Sequence, residues 1–450
     1  MNRDLTTGNV AKTMILFAAP MIAGNLLQQF YNIADTLIVG KFLGAEAMAA
    51  VGTAYTLMTF LTSVLIGLCM GSGSVFSFYY GKKDFVKMKG CVRAAFYLVG
   101  CVTVLVEGLA FLFVGPILTL LRIPGEIMGR MRLYVLIIFT GIFFVFLYNY
   151  FSYLLRALGN SVVPLYFLGG TSILNVALDL LFVVGFHWGI GGAAVATVFS
   201  QAASGVGIGI YTWRKEPLFK EVWRQKAESK ERRREAVREI ARFSFAASIQ
   251  QSVMNFGILM VQGLVNSFGV AVMAAFTAAV KIDSFAYMPA QEFGNAFSLY
   301  ISQNYGAAKH RRVRQGAARA MAISTVFCLA VSALVFGFAK YLMLLFVDPS
   351  ETEIIQIGVG YLRVEGAFYC GIGILFLLYG FYRGINRPEM SLALTVISLG
   401  IRVFLAYALA PVPGIGVWGI WWAIPVGWFL ADVTGIVYLV RLEKRNAPGA

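Results

Sequence analysis

Leu16-Phe-Ala-Ala-Pro20-Met-Ile-Ala-Gly-Asn25-Leu-Leu-Gln28-Gln29-Phe-Tyr-Asn32-Ile-Ala-Asp35-Thr36-Leu-Ile-Val39 is the stretch whose reading decides the fold. It is long enough to cross a bilayer, for which about 20 apolar residues suffice. Asn25, Gln28, Gln29, Asn32, Asp35 and Thr36 nevertheless recur at helical spacing and share one face. Ala23, Leu27, Phe30, Ala34, Leu37 and Ile38 form the opposite, apolar face. A helix patterned this way shows lipid its apolar side and turns a polar seam inward. Pro20 removes a backbone donor fifteen residues before Asp35 and can kink the helix. A carboxylate within a membrane is expensive unless hydrated, paired or neutralised, so Asp35 is a candidate functional residue; the plainer reading is a helix-packing aspartate near the interface.

Composition extends this reading to the whole chain. Of 450 residues, 59% are hydrophobic and only 13% are charged, with a mean hydropathy of +0.75. These values define an all-α polytopic membrane protein. Twelve spanning segments are expected, at 13–39, 48–79, 91–120, 129–157, 163–185, 191–213, 239–267, 272–304, 315–346, 354–384, 389–411 and 417–440. Met1 to Lys12 is short and polar, and no cleavable signal is expected.

The net charge of +15 invites a nucleic-acid reading, but its distribution argues against one. Basic residues cluster at Lys82, Lys83, Lys87, Lys89 and Arg93, from Arg214 to Arg242, and at Lys309, Arg311, Arg312, Arg314 and Arg319. Loops on the other side hold only Lys41, Arg122, Arg130 and Arg132. This positive-inside bias places both termini in the cytoplasm and the chain in the cell's inner (plasma) membrane. The basic surface would meet anionic lipid headgroups, and nucleic acid is not an expected partner. Cys69, Cys91, Cys101, Cys328 and Cys370 make no CxxC and no disulfide framework, and His187 and His310 build no metal site.

The chain repeats itself. Gly44-Ala-Glu-Ala-Met48-Ala-Ala50 returns 225 residues later as Gly269-Val-Ala-Val-Met273-Ala-Ala275. Tyr80-Gly81 returns as Tyr305-Gly306, and Gly189-Ile190-Gly191 as Gly414-Ile415-Gly416, at the same offset of 225. One six-helix unit has been duplicated. Six crossings give both halves the same orientation, so they should be pseudo-symmetric about the membrane normal with a cavity between them. The expected organisation is a six-helix lobe at 1–211, a basic cytoplasmic linker at 212–242 and a second lobe at 243–450. The linker reads as a solvated connector, with helical ion-pair spacing at Glu228–Arg232, Glu231–Arg234 and Glu235–Arg238.

Within the first half, Asn175 and Asp179 share a face of segment five, and Thr197, Ser200, Gln201 and Ser204 make a seam in segment six. With Asp35 they supply two carboxylates, amides and a hydroxyl, hard oxygen donors that suit a proton or Na⁺ better than a soft metal. Interhelical hydrogen bonding is the commoner role of any one of these side chains; the combination favours an ion site. The second half is not a copy: Met260 stands opposite Asp35. Asn25, Gln28, Asn32, Gln201, Gln251, Asn255, Lys281, Asp283 and Glu292 are candidate cavity-lining residues. Lys281 and Asp283, two apart, do not share a helical face. Gly67 with Gly71 and Gly205 with Gly209 have the spacing of close helix contacts. No GxxxxGK[ST], HExxH, GxSxG or TVGYG-like filter occurs, which leaves a carrier driven by an ion gradient rather than an ATPase, a hydrolase or a K⁺ channel, and no enzyme activity is expected.

The run from Pro20 through Gln28-Gln29-Phe30-Tyr31-Asn32-Ile33-Ala34-Asp35-Thr36 to Gly52 resembles the opening of multidrug and toxic compound extrusion (MATE) transporters. Arg156-Ala-Leu-Gly-Asn160, Asn175-Val-Ala-Leu-Asp179, Gly191-Gly-Ala-Ala-Val-Ala-Thr197, Gln303-Asn304-Tyr305-Gly306 and Arg383-Gly-Ile-Asn386-Arg387-Pro388 carry the same resemblance along almost the whole chain. It implies twelve helices in two pseudo-symmetric six-helix lobes forming a V-shaped cavity, and H⁺- or Na⁺-coupled antiport of small organic, often cationic, compounds. The sequence is most similar to the DinF-like branch. There Asp35, Asn175, Asp179 and Thr197 would form the ion-linked network, the place for any Na⁺, with Pro20 bending helix one. The NorM-like branch also uses acids on helices seven and ten. Here segment seven offers Gln251, and segment ten has no acid beyond Glu365 near its start. No cofactor other than the coupling ion is implied, and a monomer is expected. The alternative is a lipid-linked oligosaccharide or lipid flippase of the same superfamily, for which a strongly cationic cavity would be expected.

Overall fold

The computed structural model describes residues 3–120, 125–224 and 229–445, and every regular element among them is helical. In chain order these are α1 (Val10–Leu43), α2 (Ala45–Lys82), α3 (Phe85–Leu112), α4 (Val114–Leu120), α5 (Gly125–Phe139), α6 (Ile142–Ala157) and α7 (Val162–Asp179). The last continues as a π-helical turn, Leu180–Gly185. Then come α8 (Gly189–Lys215), α9 (Pro217–Arg224), α10 (Lys230–Asn266), α11 (Val270–Gly306), α12 (His310–Met343), α13 (Thr352–Ala367), α14 (Tyr369–Gly384), α15 (Pro388–Leu409) and α16 (Val417–Arg445). Arg122, Lys226 and Glu228 lie outside the described residues.

Ten spans among the described residues are long and apolar enough to cross a membrane, with α5 and α6 together making one of them. The pair α13 and α14, bent by 52°, makes an eleventh. The twelfth is α10, whose 37 residues exceed the length needed. Gln250, Gln251, Asn255, Gln262 and Asn266 dilute its hydropathy. On α1 the apolar face is outermost: Phe30 is 61% and Leu37 63% exposed, as lipid-facing residues should be. The helix runs unbroken through Pro20, whose ring nitrogen has no N–H to offer the Leu16 carbonyl.

The duplication is written into the backbone. Left-handed φ values recur at corresponding positions: 88° at Gly44 and 98° at Gly269, 59° at Lys83 and 56° at Ala308, 61° at Gly189 and 86° at Gly414. Gly44 and Gly269 are the N-caps of α2 and α11. A side chain in that conformation would be strained, which explains why glycine stands at both.

The chain forms two compact units. The first holds Ala19–Ser248 together with the chain before Thr6; the second holds Thr6–Ala18 and Ile249 onward. The allocation of the first part of α10 to the first unit has a physical cause: it packs directly on α2. Ser72 and Ser244 share a hydrogen bond of 2.8 Å, and Ser248 Oγ donates to the Val64 carbonyl at 3.0 Å. Thr6–Ala18 goes with the second unit because α12 holds it. Lys309 Nζ donates to the Thr6 carbonyl at 2.8 Å and Arg312 Nη1 to the Gly8 carbonyl at 2.7 Å.

The linker is solvated over 229–235, as its composition suggests, but not over α9. Phe219 and Val222 of α9 are buried, and the Phe219 ring lies 5.5 Å from Phe151 and 5.9 Å from Trp213. Trp223 sits edge-on to Phe96 at 5.6 Å, and Arg93 donates to the Val222 carbonyl. Glu235, spaced to pair with Arg238, instead meets Lys87 at 3.0 Å, and Glu239 accepts from Tyr79 at 2.7 Å. The amphipathic α9 has an apolar face and α3 supplies the surface to bury it. Phe219→Ala should therefore cost about 3 kcal/mol, typical of emptying a buried aromatic site. Lys87→Ala, which breaks a half-exposed ion pair, should cost under about 1 kcal/mol. Thermal unfolding of the detergent-solubilised protein would distinguish them, and equal shifts would mean that α9 is held by charge.

Candidate functional site

Helical spacing brings the polar seams of the first unit together. Asp35 comes from α1, and Asn175 and Asp179, one turn apart, come from α7. Asp179 is the last residue of regular α-helix before the π turn, and it is fully buried. Asn175 is buried as well, and Asp35 is half-buried. The carboxyl groups of Asp35 and Asp179 lie near enough to interact electrostatically. Asp35 Oδ1, both Asp179 oxygens and both polar atoms of the Asn175 amide are sealed from solvent without a hydrogen-bond partner. Among the described residues neither aspartate forms an ion pair.

A buried carboxylate such as Asp179, beside a second acid, costs several kcal/mol unless positive charge joins it. The unsatisfied atoms are all hard oxygen or amide groups, so the set fits a proton or a small hard cation. Thr197 on α8 donates to the Ala193 carbonyl one turn back at 3.0 Å, which leaves its oxygen lone pairs to accept. Gln201 on the same helix turns its Oε1 against Gly141, at the break between α5 and α6, and that oxygen has no partner. The α1 seam is tied internally. Thr36 Oγ1 donates to the Asn32 carbonyl at 2.9 Å, and Asn32 Nδ2 reaches Gln29 Oε1 and the Tyr55 hydroxyl at 3.5 Å each. Asn25 is half-buried and Gln28 exposed.

One member of the site escapes sequence reasoning. The buried phenol of Tyr134, on α5, lies within electrostatic reach of both aspartates. No polar seam accompanies it in the sequence, so it reads there as an ordinary core aromatic.

The second-unit candidates divide. Lys281 is exposed and Asp283 buried, as different helical faces require. Gln251 and Asn255 are half-buried on α10. Glu292 accepts from Asn295 at 3.2 Å, and Asn295 in turn accepts from Arg383 at 3.2 Å. Glu365 departs from its expected place near the start of a span. It lies at the end of α13, just before the break at Phe368, and is 1% exposed. Its carboxyl faces Asp283.

The fold is all-helical, duplicated and membrane-spanning, with the Asp35–Asp179 pair inside its first unit. The MatE family model matches residues 20–181 and 245–408, most of both halves, and the chain belongs to that family. It is 30% identical over 404 residues to the probable multidrug resistance protein YpnP of Bacillus subtilis, covering 88% of each chain. It is 24% identical over 441 residues to the multidrug export protein MepA of Staphylococcus aureus, covering 96% of this chain and 94% of that protein. The fold superposes on an outward-facing multidrug resistance MATE family transporter of the MOP superfamily with a TM-score of 0.90, at 23% identity and 98% coverage of both chains.

Proposed function

We propose that this protein is an H⁺- or Na⁺-coupled exporter of small organic, often cationic, compounds, working by alternating access in the inner membrane with both termini cytoplasmic. The observation that carries this reading is the pair Asp35–Asp179, in which Asp35 Oδ1 and both Asp179 oxygens have no hydrogen-bond partner among the described residues. An ion that neutralises the pair can drive transport only by binding one conformation better than the other; equal affinity would shift nothing. Asp35 stands on the helix that contains Pro20, so repacking of α1 on neutralisation is the means by which ion binding weakens the drug site. Asn175 and Thr197 supply amide and hydroxyl groups to the same ion. The positive-inside distribution of Lys and Arg supports the orientation, and the names of the relatives support the substrate class.

The test is efflux of a cationic dye from proteoliposomes under a pH gradient alone, a Na⁺ gradient alone, or neither. Wild type should respond to one of the gradients, which identifies the ion, and Asp35→Asn should not respond. If several cationic dyes fail to move under any gradient, the reading is wrong and lipid-linked substrates become the better one.

A further inference from the structure

Two cations stand on an apolar, exposed face of the second unit. Val326, Leu329, Phe336 and Lys340 of α12 share one helical face. Val326 is 69% and Phe336 48% exposed, as a lipid-facing stripe should be, and Lys340 is exposed. Arg363 of α13 is exposed too, and its guanidinium lies over the Phe336 ring, 5.6 Å from the centroid. The two helices pack antiparallel: a Cβ on Gly366 would stand 3.2 Å from Val335 Cγ1, and Gly358 lies against Met343. This register sets Arg363 level with the turn between Phe336 and Lys340. Among the described residues neither cation forms an ion pair. Glu365, two residues beyond Arg363, points to the other side of α13 and is buried. Glu353 stands ten residues away along the helix, about 15 Å.

The depth of the pair follows from α12 itself. Arg311, Arg312, Arg314 and Arg319 mark one end of the helix, and Lys340 comes 21 residues after Arg319. At 1.5 Å per residue this is about 31 Å, close to the roughly 30 Å of a bilayer's hydrocarbon core. Lys340 therefore lies at the headgroup boundary opposite the arginine cluster, with Phe336 and the Arg363 guanidinium one turn deeper. An arginine at that depth is expensive without an anion. The fold does not require it there. At the repeat offset of 225, Phe336 corresponds to Phe111, whereas Lys340 and Arg363 correspond to Gly115 and Ile138.

We propose that this face of α12 and α13 is a binding site for one anionic phospholipid, whose phosphate sits between Arg363 and Lys340. The guanidinium fork matches two phosphate oxygens, the ammonium adds a second charge from the headgroup side, and the acyl chains lie along the Val326–Leu329 stripe. The two cations have no acid beside them, so the site selects a headgroup that brings net negative charge. A zwitterionic headgroup brings its own ammonium and gains less. The lipid belongs to the leaflet opposite the Arg311–Arg319 cluster. Naming that leaflet the outer one rests on the proposed orientation; the binding does not, nor does it rest on the role of Asp35 and Asp179.

The test is native mass spectrometry of the full-length protein in detergent, titrated with phosphatidylglycerol or with phosphatidylethanolamine of the same acyl chains. Wild type should hold one phosphatidylglycerol that Lys340→Gln/Arg363→Gln binds about thirtyfold more weakly, the combined worth of two cations near a lipid headgroup. Arg311→Gln/Arg314→Gln, at the opposite end of α12, should keep that lipid. Gly337→Glu gives a second route. An added Cβ there has nothing within 4 Å, and the new carboxylate, three residues from Lys340, would neutralise the site with both cations in place. It should lose the same lipid. The proposal is overturned if monodisperse Lys340→Gln/Arg363→Gln protein binds phosphatidylglycerol as tightly as wild type. It is equally overturned if Gly337→Glu keeps the lipid, or if phosphatidylethanolamine binds with the same affinity and the same dependence on Arg363. Loss of dye efflux by Asp35→Asn, or its persistence, leaves this result untouched, so the two readings fail separately.

Discussion

Asp179→Asn is expected to abolish gradient-driven efflux while leaving the amount of folded protein unchanged or higher. Asparagine preserves the size of the side chain, so the packing of α7 is kept. What disappears is a carboxylate neither of whose oxygens has a hydrogen-bond partner among the described residues. Losing a buried charged partner is worth about 3 kcal/mol, over a hundredfold in an ion-binding constant, which is enough to destroy the preference of the ion for one conformation. The same physics predicts the sign of the stability change. In the ion-free protein the two acids repel each other and are poorly solvated, so removing one should raise the unfolding temperature measured without a coupling ion. A merely structural aspartate would give the opposite result. The neighbouring residues should rank below it. Asn175→Ala removes one amide of the set and should weaken efflux partially. Thr197→Val should have the smallest effect, since the Thr197 hydroxyl proton is already committed to Ala193. Full efflux by Asp179→Asn, or a lowered unfolding temperature with normal efflux, would remove Asp179 from the coupling site.

Asp35, Asn175 and Asp179 were legible in the sequence because polar residues are rare in spanning segments and theirs recur at helical spacing. The duplication was legible for a similar reason: glycines that must adopt left-handed φ cannot drift, and Gly44 and Gly269 mark the same turn in both halves. The second acid pair was not legible. Asp283 and Glu365 come from different helices, and only the tertiary fold sets them face to face. Reading 354–384 as one segment also hid the end of α13 at Ala367, which placed Glu365 near a span's beginning instead of beside a buried break. No proline marks that break. The linker misled for another reason. Its charge is real, but the apolar residues Phe219 and Val222 needed a surface on α3 and α8, and local composition does not report what a distant helix will offer.

Gly71→Ala and Gly71→Leu should be among the most destabilising substitutions in the chain, because the obstacle at that position is backbone. A Cβ on Gly71 would stand 2.6 Å from the carbonyl carbon of Phe243 and 2.7 Å from Ser244 Cα; one on Gly67 would stand 2.5 Å from Ser248 Cα. The two glycines lie one turn apart on α2 and let α10 approach to main-chain contact. Such packing, not the hydrophobic effect, holds helices together within lipid. A flexible side chain could yield, but a helix backbone moves only as a whole. Moving it would break the Ser72–Ser244 hydrogen bond of 2.8 Å and that from Ser248 to Val64 at 3.0 Å. Overpacking of about 1–3 kcal/mol and two buried hydrogen bonds at about 1 kcal/mol each together predict a loss of about 3–5 kcal/mol for the leucine variant, with alanine intermediate. Gly52, on the same helix, has nothing within 4 Å of an added Cβ. Gly52→Ala should therefore be neutral or slightly stabilising, since alanine favours a helix over glycine by roughly 0.5–1 kcal/mol. Thermal challenge of the solubilised variants, read as survival of the monodisperse elution peak, compares the positions directly. If Gly71→Leu survives as well as Gly52→Ala, then α2 and α10 do not depend on main-chain contact. The serine hydrogen bonds would then have to be formed from a wider separation.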